Sequence, residues 1–260
     1  MRYTFSFLLI SLLFACQPAP VKEVVKEETP PDYFSHIEDE KARGILEAAV
    51  NYTGGLEAWR KINHLRYDKT FTLFSANGEV EKTFEQVHDY TTRPKVIDIQ
   101  SIENGTLIHT RLADDIYTQT ADGEPTEKTP TAIEKGINTS TYVIGLPYKL
   151  LDAGAAVTYA GEKTMDTGQV VDVLEVRYDP AQHANHSSAD TWYFYFDQEN
   201  RNVVANFIIS PDHFSLVENT SFQRVGETLF YKDRKSYRVD SLGNKLYLRA
   251  EYTYENFVVE

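Results

Sequence analysis

The chain contains little cysteine and none of the common catalytic motifs. Cys16 is the only cysteine among 260 residues, so no disulfide can form within the chain. The sequence contains no Gly-x-Ser-x-Gly elbow, no His-Glu-x-x-His zinc motif, no phosphate-binding loop and no dinucleotide fingerprint. None of the common motifs therefore predicts an enzyme or a bound cofactor.

Positive charge is also scarce. Lys and Arg together number 26 against 39 Asp and Glu, which gives a formal net charge of −13. An acidic domain without a basic stripe repels phosphate backbones. We therefore expect no nucleic-acid partner.

Long hydrophobic runs are missing except at the start of the chain. The apolar stretch at 5–14 follows Arg2 and ends at Ala15, and it is shorter than the roughly 20 residues that cross a bilayer. A short cationic start, an apolar run and a small residue are typical of an export signal. Residues 1–15 are therefore predicted to be a signal peptide.

The residues around Cys16 resemble a bacterial lipobox. The motif is Leu13-Phe14-Ala15-Cys16, and the resemblance implies that the sulfur of Cys16 carries a lipid after cleavage. Residues 17–31 are rich in Pro, Val, Lys and Glu and lack aromatic side chains, which predicts a disordered tether over 16–34. We expect a lipid-anchored protein of the outer membrane, on its periplasmic face.

Aromatic residues dominate the rest of the chain, with 17 Tyr and 14 Phe against 2 Met. Such a composition favours a sheet over a helical bundle. Alternating segments joined by Asn77-Gly78, Asn104-Gly105 and Asp122-Gly123 predict neighbouring antiparallel hairpins. Residues 35–260 are therefore predicted to form one α+β domain built on an antiparallel sheet.

Two helical segments are predicted to accompany this sheet. Ser35 and Glu38 have the form of a capping box before an apolar helical pattern. Thr129-Pro130 predicts the start of a helical insertion. We expect Gly136, Gly145 and Pro147 to break this insertion into short pieces.

Three segments carry a family resemblance: "GGLEAWRKINHLRY" at 54–67, "GLPYKLLDAG" at 145–154 and "DTWYFYFDQEN" at 190–200. Together with the order of elements, they resemble the LolA/LolB-like lipoprotein-carrier fold, in an uncharacterised group of Bacteroidota lipoproteins. The resemblance implies a strongly curved half-barrel whose open side is covered by the N-terminal helix and the helical insertion. It also implies a cavity for a lipid, an acyl chain or another hydrophobic ligand, and a non-enzymatic function.

Side chains on the later strands are candidates for lining this cavity. They are Trp192, Phe194, Phe196, Phe207, Ile209, Leu246, Leu248, Tyr252 and Tyr254. Ligand pockets are mostly apolar, and Tyr adds a polar tip suited to an amphiphile. The same stripe can instead pack against the helices without a void. In that case the protein is a scaffold that binds partners through its outer surface.

A third hypothesis concerns one polar loop. His183, His186 and Asp190 lie close in sequence, and two imidazoles with a carboxylate can ligate zinc. This set predicts a metal-dependent hydrolase if the three side chains converge. The alternative is an ordinary solvated hairpin loop.

Overall fold

The computed structural model describes residues 32–179, 181 and 190–260. Tyr33–Glu260 forms one compact unit. The predicted signal peptide, Cys16 and most of the predicted tether lie outside the described residues. None of the helices within the described ranges is both long enough and apolar enough to cross a membrane.

The described residues form a 13-stranded antiparallel sheet. Its strands are β1 (His64–Phe74), β2 (Val80–Thr92), β3 (Lys95–Glu103), β4 (Thr106–Ala113), β5 (Ile116–Ala121), β6 (Glu124–Pro125), β7 (Ala155–Thr164), β8 (Val170–Tyr178), β9 (Thr191–Asp197), β10 (Val203–Ile209), β11 (Phe214–Val225), β12 (Thr228–Val239) and β13 (Lys245–Val259). The spatial order is β6-β5-β4-β3-β2-β1-β13-β12-β11-β10-β9-β8-β7. The sheet is curved and unclosed, which confirms the predicted half-barrel.

The turns between the early strands have the predicted chemistry. Asn104 and Gly105 both have positive φ angles, of 53° and 85°, between β3 and β4. Asp122 and Gly123 repeat the pattern, with φ angles of 48° and 91°. These residue pairs tolerate the conformation that a tight hairpin needs, so the local sequence fixes these connections.

The first helix, α1 (Glu40–Tyr52), begins later than the predicted capping box at Ser35. Asp39 is its N-cap, and its carboxylate accepts a hydrogen bond from the Ala42 amide at 3.0 Å. The same carboxylate accepts from the Tyr159 amide of β7 at 2.8 Å. These two backbone hydrogen bonds lower the pKa of Asp39. The prediction at Ser35 is wrong because Asp39 joins the helix start to the sheet.

The helical insertion forms one helix, α3 (Pro130–Ile144), capped by the Thr129 hydroxyl as predicted. The predicted break at Gly136 is wrong. Ile133 and Ile137 flank this glycine and are buried against the sheet, so packing maintains a helix that propensity alone would weaken. The helix ends at Gly145, and a 3₁₀ helix follows at Tyr148–Leu151.

The helices pack on one face of the sheet, which we call the inner face. A short helix, α2 (Leu56–Lys61), follows α1. The α1 cluster joins α1 and the 3₁₀ helix to β7–β9 and includes Ile45, Leu46, Val50, Leu150, Leu174, Val176, Phe194 and Phe196. The α3 cluster joins α3 to β1–β4 and β13 and includes Leu65, Tyr67, Tyr90, Ile97, Ile99, Leu112, Ile133, Ile137 and Tyr254.

Candidate ligand-binding site

Strand β9 places its predicted cavity residues on the inner face. Phe194 and Phe196 are fully buried in the α1 cluster, and Trp192 packs against it. Tyr195 points to the opposite, outer face, where it joins an outer cluster with Val171, Val173, Ala205, Leu216 and Val239. Both faces of β9 are therefore covered, and the inner side chains fill the space under α1.

Strand β10 places its candidates on the outer face. Phe207 pairs with Tyr193 and packs against the outer cluster, and Ile209 pairs with Phe214. Directly paired residues share a face of the sheet, so neither side chain lies beside Phe194. The register shifts between Val203 and Ala205, and a sequence pattern does not show such a shift.

Strand β13 divides its candidates between the faces. Tyr254 is buried in the α3 cluster and Tyr252 packs against it. Leu248 pairs with Tyr237 of the outer cluster because a bulge shifts the β12–β13 register between Ser236 and Tyr237. Leu246 is 64% exposed. The inner face therefore gathers Trp192, Phe194, Phe196, Tyr252 and Tyr254, but not the other candidates.

A cavity of about 230 Å³ lies between α3 and the inner face of β1–β5, and we call it the α3 groove. Ile133 and Ile137 form its helical wall. Phe71 and Phe84 line the sheet side, with their rings stacked at 4.3 Å between centroids. The other lining residues are Gln86, Ile99, Ser101, Glu103, Ile108, Thr110, Gln119, Lys128, Ala132, Gly136 and Ser140.

A second cavity, of about 320 Å³, lies near the C-terminal end of α3. It is lined by Trp59, Arg60, Ile62, Leu65, Tyr90, Thr92, Arg93, Thr141, Ile144 and Lys149. The lining is chiefly apolar, with cationic side chains among it. The α3 half of the half-barrel therefore keeps open volume that the α1 cluster fills with its own side chains.

A buried hydrogen-bond network lies in the sheet wall of the α3 half. The Nε2 of His88 lies 3.0 Å from the Gln86 amide oxygen, and its Nδ1 lies 2.6 Å from the Tyr90 hydroxyl. The Tyr67 hydroxyl lies 3.0 Å from that of Tyr90. Burial holds the pKa of His88 well below its usual value and raises those of both tyrosines. The imidazole is therefore neutral at pH 7, so Nε2 donates to Gln86 and Nδ1 accepts.

Two inner-face cations flank Tyr252. Lys69 of β1 pairs with Tyr254, and Arg234 of β12 pairs with Tyr252. The Lys69 ammonium lies 4.9 Å from the Phe71 ring centroid and 5.8 Å from that of Tyr252. Burial lowers the pKa of Lys69, although part of its surface stays accessible.

Sequence reasoning missed the groove residues and both cations. Ile133 and Ile137 lie at helical spacing after the predicted Thr129 cap, and this spacing could have predicted the helical wall of the groove. Lys69 interrupts the alternation of Tyr67 and Phe71, which marks a lysine on an apolar face. Arg234 lies beyond a register irregularity in β11–β12, so alternation could not assign its face.

The metal hypothesis stays a prediction. Asp190 lies just before β9, whereas His183 and His186 lie outside the described residues. Within the described ranges, no three His, Cys, Asp or Glu side chains are grouped closely enough to hold a metal ion.

Solved structures share this architecture at low sequence identity. A domain from Vibrio parahaemolyticus described as an outer membrane lipoprotein-sorting protein aligns with a TM-score of 0.51 and 9% identity, covering 85% of this chain and 93% of that one. A DUF1329 family protein from Desulfovibrio piger aligns with a TM-score of 0.52 and 9% identity, covering 84% and 93%. At these identities the likeness shows a shared fold and nothing more.

Sequence comparison identifies the family. No curated protein gives a significant sequence match. The model of DUF6503, described as a family of unknown function, matches residues 33–242 and so spans the helices and β1–β12. The chain therefore belongs to the DUF6503 family.

Proposed function

We propose that the protein is a non-enzymatic, membrane-anchored lipoprotein that binds a lipid, an acyl chain or a similar hydrophobic ligand in the α3 groove. The observation that carries this proposal is the cavity of about 230 Å³ between Ile133/Ile137 and Phe71/Phe84. Apolar side chains of α3 and of β1 and β2 line this cavity together with polar side chains, and small-molecule sites use such polar groups to orient the ligand.

The groove suits part of an extended chain. Small-molecule sites usually measure about 300–1,000 Å³, so this cavity would enclose a segment of a lipid and leave the remainder outside or in the second cavity. Each buried methylene stabilises the complex by about 0.8 kcal/mol. A few methylenes against Phe71 and Phe84 would therefore give measurable affinity.

The location of the protein is part of the proposal. Cys16 is proposed to carry the lipid anchor, and the outer membrane, on its periplasmic face, is the proposed site. The description of a structural neighbour as an outer membrane lipoprotein-sorting protein supports this proposal. The ligand is proposed to reach the groove from that envelope environment.

The first test is mass spectrometry of the full-length Cys16→Ser variant, which lacks the proposed lipidation site. We expect a native mass above that of the polypeptide, with the excess lost on denaturation and recovered as lipid in an organic extract. A native mass equal to that of the polypeptide, together with no uptake of added fatty acid, would contradict groove binding.

A glycine pair provides a matched test of the site. Gly136 lines the groove, and a Cβ added there meets no atom within 4 Å, so Gly136→Trp places an indole at the groove without a backbone clash. Gly44 is an exposed helical glycine of α1 with equally open surroundings. We expect Gly136→Trp to lose most of the bound lipid and Gly44→Trp to retain it. Equal retention by both variants would place the ligand elsewhere.

The scaffold alternative also has support from one observation. Phe194 and Phe196 are fully buried, so the α1 half of the half-barrel is filled by its own side chains. If no ligand enters the α3 groove, the protein is instead a scaffold that binds protein partners through its outer surface.

A further inference from the structure

The inner face of the half-barrel carries two cations, Lys69 and Arg234, that form no ion pair within the described ranges. Arg234 is only 5% exposed, and its Nε donates to the Asn219 amide oxygen at 2.7 Å. Its Nη2 lies 3.4 Å from the Asn206 amide oxygen. These partners are neutral. Throughout the described ranges, no carboxylate lies within ion-pair distance of Arg234 or Lys69.

Carboxylates elsewhere on this face already have partners. Asp172 binds Arg201 at 2.5 Å, and Glu103 of the α3 groove binds Lys82 at 2.8 Å. On the outer face, Lys235, the neighbour of Arg234 in β12, binds Glu251 at 3.0 Å. Arg234 therefore differs from its strand neighbour Lys235, because only Lys235 has a carboxylate partner.

An unpaired cation in such a place is costly. Removing a charge from water without a counterion destabilises the folded protein, which is why buried charges are normally paired. Lys69 and Arg234 both flank Tyr252, and the charge of Arg234 helps to lower the pKa of Lys69. A bound anion between Lys69 and Arg234 would compensate for the lost hydration of both cations and for their mutual repulsion.

Hydroxyl groups of the neighbouring tyrosines add donors to this place. Over the residues that the structure describes, neither Tyr252 nor Tyr254 makes a side-chain hydrogen bond. Both belong to β13, between the strands that carry Lys69 and Arg234. Two cations and two hydroxyl donors on the inner face match the needs of a carboxylate or phosphate.

Lys69 lies beside the α3 groove. Phe71 lines the groove, and the Lys69 ammonium lies 4.9 Å from its ring centroid. Gln86, which also lines the groove, pairs directly with Lys69 across β1 and β2. An amphiphile with its chain against Phe71 would thus bring its head group to Lys69.

We infer that Lys69 and Arg234, with Tyr252 and Tyr254, form an anion site that binds the carboxylate or phosphate head of an amphiphile whose chain occupies the α3 groove. This inference rests on the proposed function and specifies its ligand class: anionic amphiphiles in preference to neutral ones. The residues act by binding and take no part in a reaction.

The test compares an acid with its neutral analogue. The full-length Cys16→Ser variant is titrated with cis-parinaric acid, a fluorescent fatty acid, and with cis-parinaric methyl ester. We expect the acid to bind about tenfold more tightly than the ester or better, since only the acid presents a charged group to Lys69 and Arg234. Lys69→Met should remove most of this preference while leaving the ester affinity within about twofold.

A control variant separates a local effect from a general change of charge. Lys235→Met removes one cation from the outer face of the strand that carries Arg234, and it should leave the acid preference unchanged. Lys69→Gln repeats the test with a polar side chain if the methionine variant folds poorly. Displacing the bound probe with oleate, a carboxylate, and separately with lysophosphatidate, a phosphate, shows which head group binds more tightly.

The outcomes separate this inference from the proposed function. If acid and ester bind equally, or the preference survives Lys69→Met, the anion site is overturned while the groove proposal stands. If neither probe binds, the groove proposal itself fails and the anion site fails with it. The anion that displaces the probe at the lower concentration identifies the head group that the site prefers.

Discussion

At the scale of single residues, Lys69 carries an energetic cost that its strand neighbours do not. It lies between Tyr67 and Phe71 on the inner face, and burial lowers its pKa. A lysine whose folded pKa is below its unfolded value loses stability as the pH falls below about 10.5, because the unfolded chain binds the proton more tightly. At pH 7 the charged lysine therefore opposes folding of the ligand-free protein.

Lys69→Met should consequently raise the free energy of unfolding of ligand-free protein at pH 7 by about 1 kcal/mol. The methionine keeps most of the volume and removes the buried charge. Urea unfolding followed by fluorescence measures the change, with Lys235→Met as the surface comparison. A loss of stability would mean that the ammonium makes a favourable interaction in the folded protein.

His88 is the second residue whose ionisation matters. It is fully buried, and burial holds its pKa well below 6.5. The unfolded chain takes up a proton near pH 6.5 while the folded chain does not, so stability is lost as the pH falls below that value.

His88→Gln should reduce the loss of stability between pH 6.5 and about pH 5. A single excluded proton contributes a slope of about 1.4 kcal/mol per pH unit, and the variant should lack this contribution. Urea unfolding at several pH values measures both slopes. Identical slopes would show that His88 becomes protonated in the folded state.

At the scale of elements, α3 contains a glycine that costs helix stability. Gly136 lies within α3, is exposed, and has open space where a Cβ would lie. Glycine in a helix interior is less favourable than alanine by roughly 0.5–1 kcal/mol. Its small size also keeps the adjacent groove open.

Gly136→Ala should therefore stabilise the protein by about 0.5–1 kcal/mol, because it gains helix propensity without a clash. Thermal unfolding of this variant and of Gly44→Ala in α1 gives the comparison, and both should show an increase in Tm. A decrease for Gly136→Ala alone would indicate that groove geometry requires the glycine.

The end of α1 contains a glycine with the opposite requirement. Gly54 has a φ of +122°, and a Cβ there would collide with the Glu227 carbonyl in the β11–β12 turn. Gly55 also has a positive φ, of +87°, but has open space. The chain passes close to the sheet only at the first of these glycines.

Gly54→Ala should destabilise the protein by more than about 2 kcal/mol, since it combines backbone strain with a clash against backbone atoms. Gly55→Ala should cost less because only strain applies. Denaturant unfolding of the two variants decides the order. Equal costs would show that the β11–β12 turn moves away freely.

At the scale of the whole molecule, β1 and β13 join two series of neighbouring hairpins. They bring the beginning and the end of the domain together at the centre of the strand order. The β1–β13 pair connects strands that are distant in sequence. Strand β6, in contrast, is only two residues long and lies at one edge of the sheet. Local stability should therefore fall from the centre towards β6.

Hydrogen exchange should show this gradient. We expect the slowest amide exchange in β1, β12 and β13, and the fastest strand exchange in β5 and β6, because edge strands open without disrupting the core. Mass spectrometry of peptides from labelled full-length protein measures it. Equal protection in β5 and β13 would contradict the order.

Much of the architecture followed from local patterns. Asn-Gly and Asp-Gly pairs placed the early hairpins, and Thr129-Pro130 placed the start of α3, because turns and caps depend on a few adjacent residues. The start of α1 did not follow, since Asp39 is fixed by the Tyr159 amide of a distant strand. The continuity of α3 through Gly136 did not follow either, because the packing of Ile133 and Ile137 against the sheet maintains the helix.

The candidate site was less predictable than the fold. Tyr252 and Tyr254 lie on the inner face as the alternation suggests, whereas bulges move Leu248 and Phe207 to the outer face. The sequence by itself determined the neighbouring antiparallel hairpins and the turn positions, because both depend on short-range conformational preferences. Only the tertiary structure decided which side chains line the α3 groove, and that Lys69 and Arg234 both lie on the inner face of the sheet. Strand register and helix packing involve residues far apart in the chain, so local patterns could not determine them.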